Sequence, residues 1–334
     1  MRIAINGYGR IGRCIVWAIY EYGLEKEFEI IAINDLADKS VLTHLTRFDS
    51  THGIFKADVE GDQESISING RRIKFLSEKN PELLPWGKLD IDVVLECSGR
   101  FKSRNLAETH LKAGAKKVLI SYPMAEADKT IVYGVNHQTL KSQDRIVSNA
   151  SCTTNCLAPL AKALHDSVGI KQGLMTTIHS YTNDQNLIDK AHSDPYRARA
   201  AGLSMVPTNT GAAKAVGLVI PELNGKIDGM AIRVPTANVS LVDFVFEPEK
   251  PISVNEVNAL IKDASNNHLK GILAYNDQPL VSIDYNHNPA SSIFDAPQTR
   301  VLGSQCKVMS WYDNEWGFSN RMLQVAKLMA SLSP

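Results

Sequence analysis

A glycine-rich turn near the start of the chain constrains the fold more than any other feature of the sequence. The turn, Gly7-Tyr8-Gly9-Arg10-Ile11-Gly12, lies between an apolar run, Ile3-Ala4-Ile5, and a segment up to Tyr22 with apolar residues at helical spacing. Between a strand and a helix, the first glycine makes the turn, the second lets a pyrophosphate approach the backbone, and the third allows close helix–strand packing. The pattern predicts a dinucleotide-binding βαβ unit in which N–H groups at the helix start, Arg10 and Ile11 included, face the pyrophosphate.

Asp35 supports this interpretation, because it ends the next apolar run, Glu29 to Ile33. A carboxylate at this position accepts hydrogen bonds from a ribose 2′-OH and repels a 2′-phosphate, which favours NAD over NADP. The alternative is an ordinary glycine-rich turn in an α/β sheet, with Asp35 as a helix cap.

The chain has 334 residues, enough for two domains at roughly 150 residues each. Strand-like and helix-like segments alternate up to about residue 150, which predicts a Rossmann-type, mostly parallel sheet. The expected strands there include 92–96, 117–120 and 130–133, with a helix over 106–113. Residues 151–314 begin with a helix near 154–167 and then contain longer, alternating segments at 174–180, 230–246, 280–285 and 306–311. They predict an α+β catalytic domain with a mainly antiparallel sheet, and an amphipathic C-terminal helix, 315–334, is assigned to the first domain, 1–150.

Composition bounds the ligands and the compartment. Lys+Arg and Asp+Glu both number 36, so the formal net charge is zero, and no bulk field attracts nucleic acid or a membrane. Any anionic ligand must be held by local donors. The sequence shows no leader and no membrane-spanning apolar run, so a cytoplasmic protein is expected. The five cysteines form no CxxC or zinc pattern and are expected to be free thiols, with no metal site.

Cys152 is the candidate nucleophile. The segment from Ser148 to Cys156 follows a strand and opens a helix, and a thiol in the first helical turn lies in the positive field of the helix dipole, which lowers its pKa. Cys156 lies one turn further in, where that field is weaker. A helix-start cysteine is nevertheless more often structural than catalytic, and spacing alone does not choose its partner among nine histidines. His179 is attractive because it ends a strand and leads into a long loop.

Several segments together resemble the phosphorylating glyceraldehyde-3-phosphate dehydrogenase family, and the resemblance runs through the whole chain in order. They are 6–13, 148–156, His179-Ser180-Tyr181-Thr182, Thr210-Gly211-Ala212-Ala213-Lys214-Ala215, Arg233-Val234-Pro235-Thr236 and Trp311-Tyr312-Asp313-Asn314-Glu315. The resemblance implies the NAD- and phosphate-dependent oxidation of D-glyceraldehyde 3-phosphate to 1,3-bisphosphoglycerate in glycolysis and gluconeogenesis. It also implies that Cys152 forms the thioester, with His179 as base and as donor to the oxyanion.

The resemblance also implies the binding residues. Asn314 fixes the nicotinamide carboxamide, and Lys79 and Ser121 contact the adenosine side, in addition to Gly7, Gly9, Arg10, Ile11, Gly12 and Asp35. Thr182 and Arg233 hold the phosphate of the substrate. The site for inorganic phosphate comprises Ser151, Thr153, Arg197, Thr210 and Gly211.

A homotetramer is implied by the stretch 181–204, which resembles the loop that lines the cofactor site of a neighbouring subunit. Two positions depart from the family pattern. Phe318 replaces a common tyrosine, as it does in the sister family, erythrose-4-phosphate dehydrogenase, which remains the enzymatic alternative. Lys190-Ala191 replaces a Leu-Pro pair, and Lys190 therefore predicts partial use of NADP. A protein that only senses NAD or binds RNA would be expected to lack Cys152, His179 or the phosphate donors.

Overall fold

The computed structural model describes residues 1–101 and 103–332, so the last two residues of the predicted segment 315–334 lie outside the described residues. The chain forms two compact units. One comprises Met1–Ile131, His137–Ala150 and the C-terminal segment from Ser319, and the other comprises Val132–Asn136 and Ser151–Phe318. Among the described residues, no helix is both long enough and apolar enough to cross a bilayer.

The first unit is built on a mostly parallel sheet. Its strands are β1 (Arg2–Asn6), β2 (Glu29–Asn34), β5 (Val59–Gly61), β6 (Ser65–Ile68), β7 (Arg71–Leu76), β8 (Val93–Glu96), β9 (Lys117–Ile120), β10 (Lys129–Thr130) and β11 (Ile146–Ser148) in the order β10-β11-β9-β8-β1-β2-β7-β6-β5. Only β5–β6 and β6–β7 pair antiparallel in this sheet of the described residues. A short hairpin, β3 (Phe48–Asp49) and β4 (Gly53–Ile54), lies apart from it. The residues Ile3-Ala4-Ile5 of β1 are fully buried, as a strand covered on both faces requires.

The helices of this unit follow the strands. They are α1 (Arg10–Glu21), α2 (Lys39–Arg47), α3 (Arg104–Lys112) and, from Ser319 on, the C-terminal helix α7 (Trp316–Ser331). Cys14, Ile15, Ala18 and Ile19 of α1 are buried, which confirms the predicted apolar face. The carboxyl ends of β1, β2 and β8 lie side by side, because Asn6 pairs with both Asn34 and Glu96 in the parallel register.

The second unit contains a mixed, mainly antiparallel sheet, as predicted. Its strands are β12 (Ile170–Ser180), β13 (Val206–Asn209), β14 (Ile227–Val234), β15 (Ser240–Pro248), β16 (Leu273–Asn276), β17 (Ser292–Asp295), β18 (Arg300–Leu302) and β19 (Gln305–Tyr312) in the order β13-β14-β12-β15-β19-β17-β16, with β18 paired to β19. Its helices are α4 (Cys152–Val168), α5 (Ala212–Val219) and α6 (Val254–Asn266). The strands β12 and β14 are parallel neighbours, and this pairing aligns His179 with Arg233.

Three of the expected strands differ from the structure. The segment 280–285 was predicted as a strand, which is wrong, because Ser282–Tyr285 forms a 3-10 turn and the apolar residues around it, Leu280, Val281 and Ile283, are exposed in this chain. The segment 230–246 divides into β14 and β15. Of 130–133, only Thr130 belongs to a strand, β10.

Candidate active site

The second unit places Cys152 at the first position of α4. Ser151 caps this helix, since its hydroxyl accepts a hydrogen bond from the N–H of Thr154 at 3.0 Å. Ala150 before it adopts φ +57°, a conformation that L-residues with a side chain rarely take and that turns the chain sharply into the helix. The turn and the cap together set the position of the thiol. The helix start thus lies two residues earlier than the sequence predicted.

His179 is the partner of the thiol. Its Nε2 lies 3.4 Å from Sγ of Cys152, and its Nδ1 lies 2.7 Å from the carbonyl oxygen of Ser180. His179 is buried near the end of β12, and its ring meets that of Tyr312 edge to face at 5.9 Å. Two residues that are far apart in sequence therefore form one hydrogen-bonded pair, in the geometry that a cysteine nucleophile and its base require.

Burial controls the protonation of this pair. Burial raises the pKa of Cys152, although the nearby Arg233 guanidinium and hydrogen bonds from Thr153 oppose that rise. The expectation that the helix dipole lowers the pKa of this thiol is therefore wrong as a net direction. Burial, followed by repulsion from Arg233, lowers the pKa of His179 to about 3. In the resting site a thiol faces a neutral imidazole, which is able to take the thiol proton when the sulfur attacks.

Arg233 is the third charged or ionisable group at this site. Its Nη1 lies 2.9 Å from Nδ1 of His179 and donates to the carbonyl oxygen of Ser180 at 3.1 Å. Its Nε is buried without a protein partner. Arg197 also affects this group, because its like charge lowers the pKa of Arg233, after burial as the main cause. A positive field thus lies next to the nucleophile, although the whole chain has no net charge.

The remaining predicted phosphate ligands have local partners. Arg197 forms an ion pair with Asp184 and donates from Nε to the hydroxyl of Thr208 at 2.8 Å. Thr210 and Gly211 lie at the start of α5, where the hydroxyl of Thr210 accepts from the N–H of Ala212. The hydroxyl of Thr153 contacts that of Tyr312 at 2.8 Å, and the N–H of Thr182 donates to the side chain of Gln185 at 2.9 Å. The contacts join Arg233 with Cys152 and His179, whereas Thr182, Thr210 and Gly211 have contacts outside that pair.

Two residues with well-defined roles in the geometry were not predicted from the sequence. The hydroxyl of Tyr312 bridges those of Thr153 and Thr177 at 2.8 Å each, so it joins α4 to β12. The hydroxyl of Ser240 accepts from the N–H of Ser180 at 3.1 Å and donates to Oδ1 of Asn314 at 2.8 Å, which leaves Nδ2 of that amide for a ligand. Neither residue type carries a spacing signal, and only the strand register brings them to the site.

In the first unit, a cavity of about 260 Å³ lies at the carboxyl ends of the central parallel strands. Its lining includes Gly7, Gly9, Asp35 and Lys79 of the predicted cofactor residues, but not Arg10, Ile11, Gly12 or Ser121. The side chain of Arg10 forms an ion pair with Asp49, so its contribution to a pyrophosphate site is its backbone N–H at the start of α1. Ser121 donates its backbone N–H to Glu96 O at 3.0 Å.

The three glycines differ in what surrounds them. A Cβ at Gly12 would lie 2.5 Å from the carbonyl oxygen of Gly7, so this glycine is required for helix–strand packing. A Cβ at Gly9 would meet no protein atom within 4 Å, so the space in front of it is open to a ligand. The carboxylate of Asp35 accepts from the N–H of Tyr8 at 2.8 Å, which ties the turn to β2. Asp38, not Asp35, caps α2, which removes the alternative interpretation of Asp35. These features fit a dinucleotide.

Comparison with known proteins agrees with this geometry. Residues 1–104 match the family described as the NAD-binding domain of glyceraldehyde 3-phosphate dehydrogenase, and residues 151–314 match its C-terminal domain. A plasmid-encoded glyceraldehyde-3-phosphate dehydrogenase of Cupriavidus necator is 58% identical over 331 residues, which cover 99% of this chain and 98% of the relative. The same enzymes of Pseudomonas aeruginosa and Geobacillus stearothermophilus are 56% and 51% identical, each across 99% of this chain and 98% of the relative.

Proposed function

Because this chain belongs to the glyceraldehyde-3-phosphate dehydrogenase family, we propose that it oxidises D-glyceraldehyde 3-phosphate to 1,3-bisphosphoglycerate with NAD and inorganic phosphate. The observation that carries this proposal is the contact of 3.4 Å between Sγ of Cys152 and Nε2 of His179 at the start of α4. NAD is the cofactor, and when bound it accepts a hydride. The open space at Gly9 and the position of Asp35 supply the binding features for it.

Cys152 and His179 divide the chemistry between them. Sγ attacks the aldehyde carbon while its proton passes to Nε2 of His179, and the imidazole returns that proton to the carbonyl oxygen to give a hemithioacetal. His179 then takes the hydroxyl proton as the carbon loses a hydride, which leaves a thioester on Cys152. Inorganic phosphate attacks the thioester, the carbon–sulfur bond breaks, and the thiolate is protonated again. The products are an acyl phosphate, NADH and a proton.

Two anion sites are needed for this reaction, and we assign them to local donors. Arg233 and Thr182 bind the phosphate of the substrate. The adjacent imidazole and the unpartnered Nε of Arg233 support this assignment, since the guanidinium has donor capacity left beside the reacting sulfur. Inorganic phosphate binds to Ser151, Thr153, Arg197, Thr210 and Gly211.

For the cofactor we assign Gly7, Gly9 and Gly12 and the backbone of Arg10 and Ile11 to the pyrophosphate. Asp35 binds the adenosine ribose, Lys79 and Ser121 contact the adenosine side, and Asn314 binds the nicotinamide carboxamide. The hydrogen bond from Ser240 to Oδ1 of Asn314 supports the last assignment, because it directs Nδ2 as donor to a carboxamide oxygen. We accordingly assign residues 1–150 and 315–334 to the NAD-binding domain and 151–314 to the catalytic domain.

We further propose a cytoplasmic homotetramer. The stretch 181–204 carries large apolar side chains in contact with solvent, since Leu187 is 86%, Ile188 74% and Leu203 89% exposed. Apolar side chains exposed together on one segment are typical of a surface that another subunit covers. Lys190 lies in the same stretch and is the residue that we expect to moderate the preference for NAD over NADP.

The experiment that tests the proposed function is the formation of NADH, followed by absorbance, with NAD, phosphate and each aldehyde in turn. We expect high kcat/KM with D-glyceraldehyde 3-phosphate, little activity with erythrose 4-phosphate, and strict dependence on phosphate. Cys152→Ser is the inactive control, and its retained affinity for NAD shows that the protein is folded. A preference for erythrose 4-phosphate, or equal rates without phosphate, would contradict the proposal.

A further inference from the structure

A hydrogen-bonded network of buried side chains adjoins the cavity of the first unit. Glu96 and His110 at its centre are fully buried. Oε2 of Glu96 accepts from Nδ2 of Asn6 at 2.5 Å and lies 3.0 Å from Nε2 of His110. Oε1 accepts from both the N–H and the hydroxyl of Ser98, at 2.7 and 2.5 Å. Asn6 and Ser98 also line the cavity, so the network reaches from the core to the ligand surface.

The protons at the inner end of this network are fixed by Trp86. Its indole N–H is only a donor, and it points to Nδ1 of His110 at 3.1 Å. Nδ1 is therefore the acceptor, and the ring carries its proton on Nε2. His110 is thus a neutral imidazole that donates to Oε2 of Glu96.

The protons at the outer end are fixed by the backbone of Glu78. Oδ1 of Asn34 accepts from the N–H of Glu78 at 2.8 Å, and Nδ2 donates to the carbonyl oxygen of Glu78 at 2.9 Å. The same Nδ2 donates to Oδ1 of Asn6 at 2.8 Å, so the amide of Asn6 turns its own N–H toward Glu96.

Glu96 consequently faces four donors and no acceptor. The hydroxyl of Ser98 accepts from the N–H of Arg100 at 3.3 Å, so its proton is free to go to Glu96. A carboxylic acid proton on Glu96 would meet another donor, and the only protonation state that satisfies the network is the carboxylate. A buried carboxylate without a cationic partner is costly, and it is retained where its hydrogen bonds fix a geometry.

The geometry that it fixes is the slot around Gly7. This residue has φ +92°, and a Cβ on it would lie 2.5 Å from the backbone nitrogen of Ser98. Asn6 precedes Gly7 in the chain and Ser98 packs against it, so one carboxylate holds both walls of the turn. We infer that Glu96 is a positioning residue for the cofactor, whose two oxygens hold Asn6 and Ser98 so that the glycine turn fits the pyrophosphate. This inference rests on the proposed cofactor site.

Glu96→Gln is the sharpest perturbation, because the substitution is nearly isosteric. Each oxygen of Glu96 now receives two donors, so the amide N–H₂ meets donors in either orientation of the glutamine side chain. His110→Leu removes one donor at a residue that does not line the cavity. His110→Gln is its conservative partner, because the amide offers both a donor to Glu96 and an acceptor to Trp86.

The test measures dissociation constants of the full-length protein for NAD, ADP and adenosine. For Glu96→Gln we expect a loss of about 10-fold or more for NAD and ADP, the effect of leaving a buried donor unsatisfied, and a change below about 3-fold for adenosine. His110→Leu should show a smaller loss in the same order, and His110→Gln should recover most of it. General loosening of the unit would instead weaken all three ligands equally, which would overturn the inference.

The remaining outcomes separate this inference from the proposed function. If the unchanged protein binds neither NAD nor ADP, the cofactor site itself is wrong. If it binds both, and Glu96→Gln binds them equally well or more tightly, only the positioning role is wrong. Should Glu96→Gln fail to fold, the difference between His110→Leu and His110→Gln for ADP against adenosine decides the same question, and no difference rejects the inference.

Discussion

Arg233→Ala probes the link between the substrate phosphate and the catalytic pair. In the unliganded protein, Nη1 of Arg233 contacts Nδ1 of His179 at 2.9 Å and the carbonyl oxygen of Ser180 at 3.1 Å. Two charge-assisted hydrogen bonds to phosphate contribute ~3–6 kcal/mol, and the loss of these existing contacts offsets about half of that. The net loss of ~1.5–3 kcal/mol corresponds to a decrease in kcat/KM of roughly 10- to 150-fold for D-glyceraldehyde 3-phosphate.

Unphosphorylated glyceraldehyde should lose much less, because it has no phosphate to bind. Nδ1 of His179 also keeps a partner in this variant, since it is free to donate to the carbonyl oxygen of Ser180 at 2.7 Å. The assay is therefore kcat/KM for both aldehydes in parallel. Arg300→Ala, which removes an arginine bonded to Pro297 and Thr299 in the same unit, is the control and should change neither value.

The same variant has a second, independent measurement. Removing the guanidinium should raise the pKa of His179 above about 3, because one source of repulsion of the imidazolium is lost. It should raise the pKa of Cys152 further, because the cation favours the thiolate. The pH profile for alkylation of Cys152 should thus move to higher pH, whereas Arg233→Lys should retain most of the original profile. Equal proportional losses for both aldehydes, together with an unmoved profile, would refute the reasoning.

Three further predictions concern the nucleophile, its base and the choice of cofactor. Cys152→Ser should abolish turnover and leave NAD binding intact, and iodoacetamide should label Cys152 faster than Cys14, Cys97, Cys156 or Cys306; burial raises the pKa of Cys156 to about 12 and that of Cys306 to about 11, and preferential labelling elsewhere would contradict the assignment. His179→Asn should slow acylation by roughly 10²–10⁴-fold and raise the apparent pKa of the Cys152 thiol, so an unchanged alkylation profile would count against the pair. Lys190→Leu should reduce kcat/KM with NADP and spare that with NAD, while Asp35→Gly should weaken NAD and relax discrimination; if Lys190→Leu changes neither value, Asp35 alone sets the preference.

The local sequence determined much of this protein. The glycines of the first turn were interpretable because their roles are steric, and the structure gives a packing reason for Gly12 and open space for Gly9. Apolar periodicity located α1 and most central strands, because burial of one face requires it. The start of α4, with Ser151 as cap and Cys152 in the first turn, was likewise visible in the residue types. Membership of the family followed from the order of the motifs.

Only the tertiary structure decided how distant residues meet. His179 could not be chosen among nine histidines by spacing, and the register of β12 with β14 sets it beside Arg233. The net direction of the pKa of Cys152 was mispredicted, because the helix dipole is a local property and burial depends on the whole fold. The hydrogen bonds of Glu96 join residues from five separate segments, and no pattern along one segment encodes them. Local sterics and periodicity are written in the sequence, whereas desolvation and hydrogen-bond networks arise only when strands and helices are assembled.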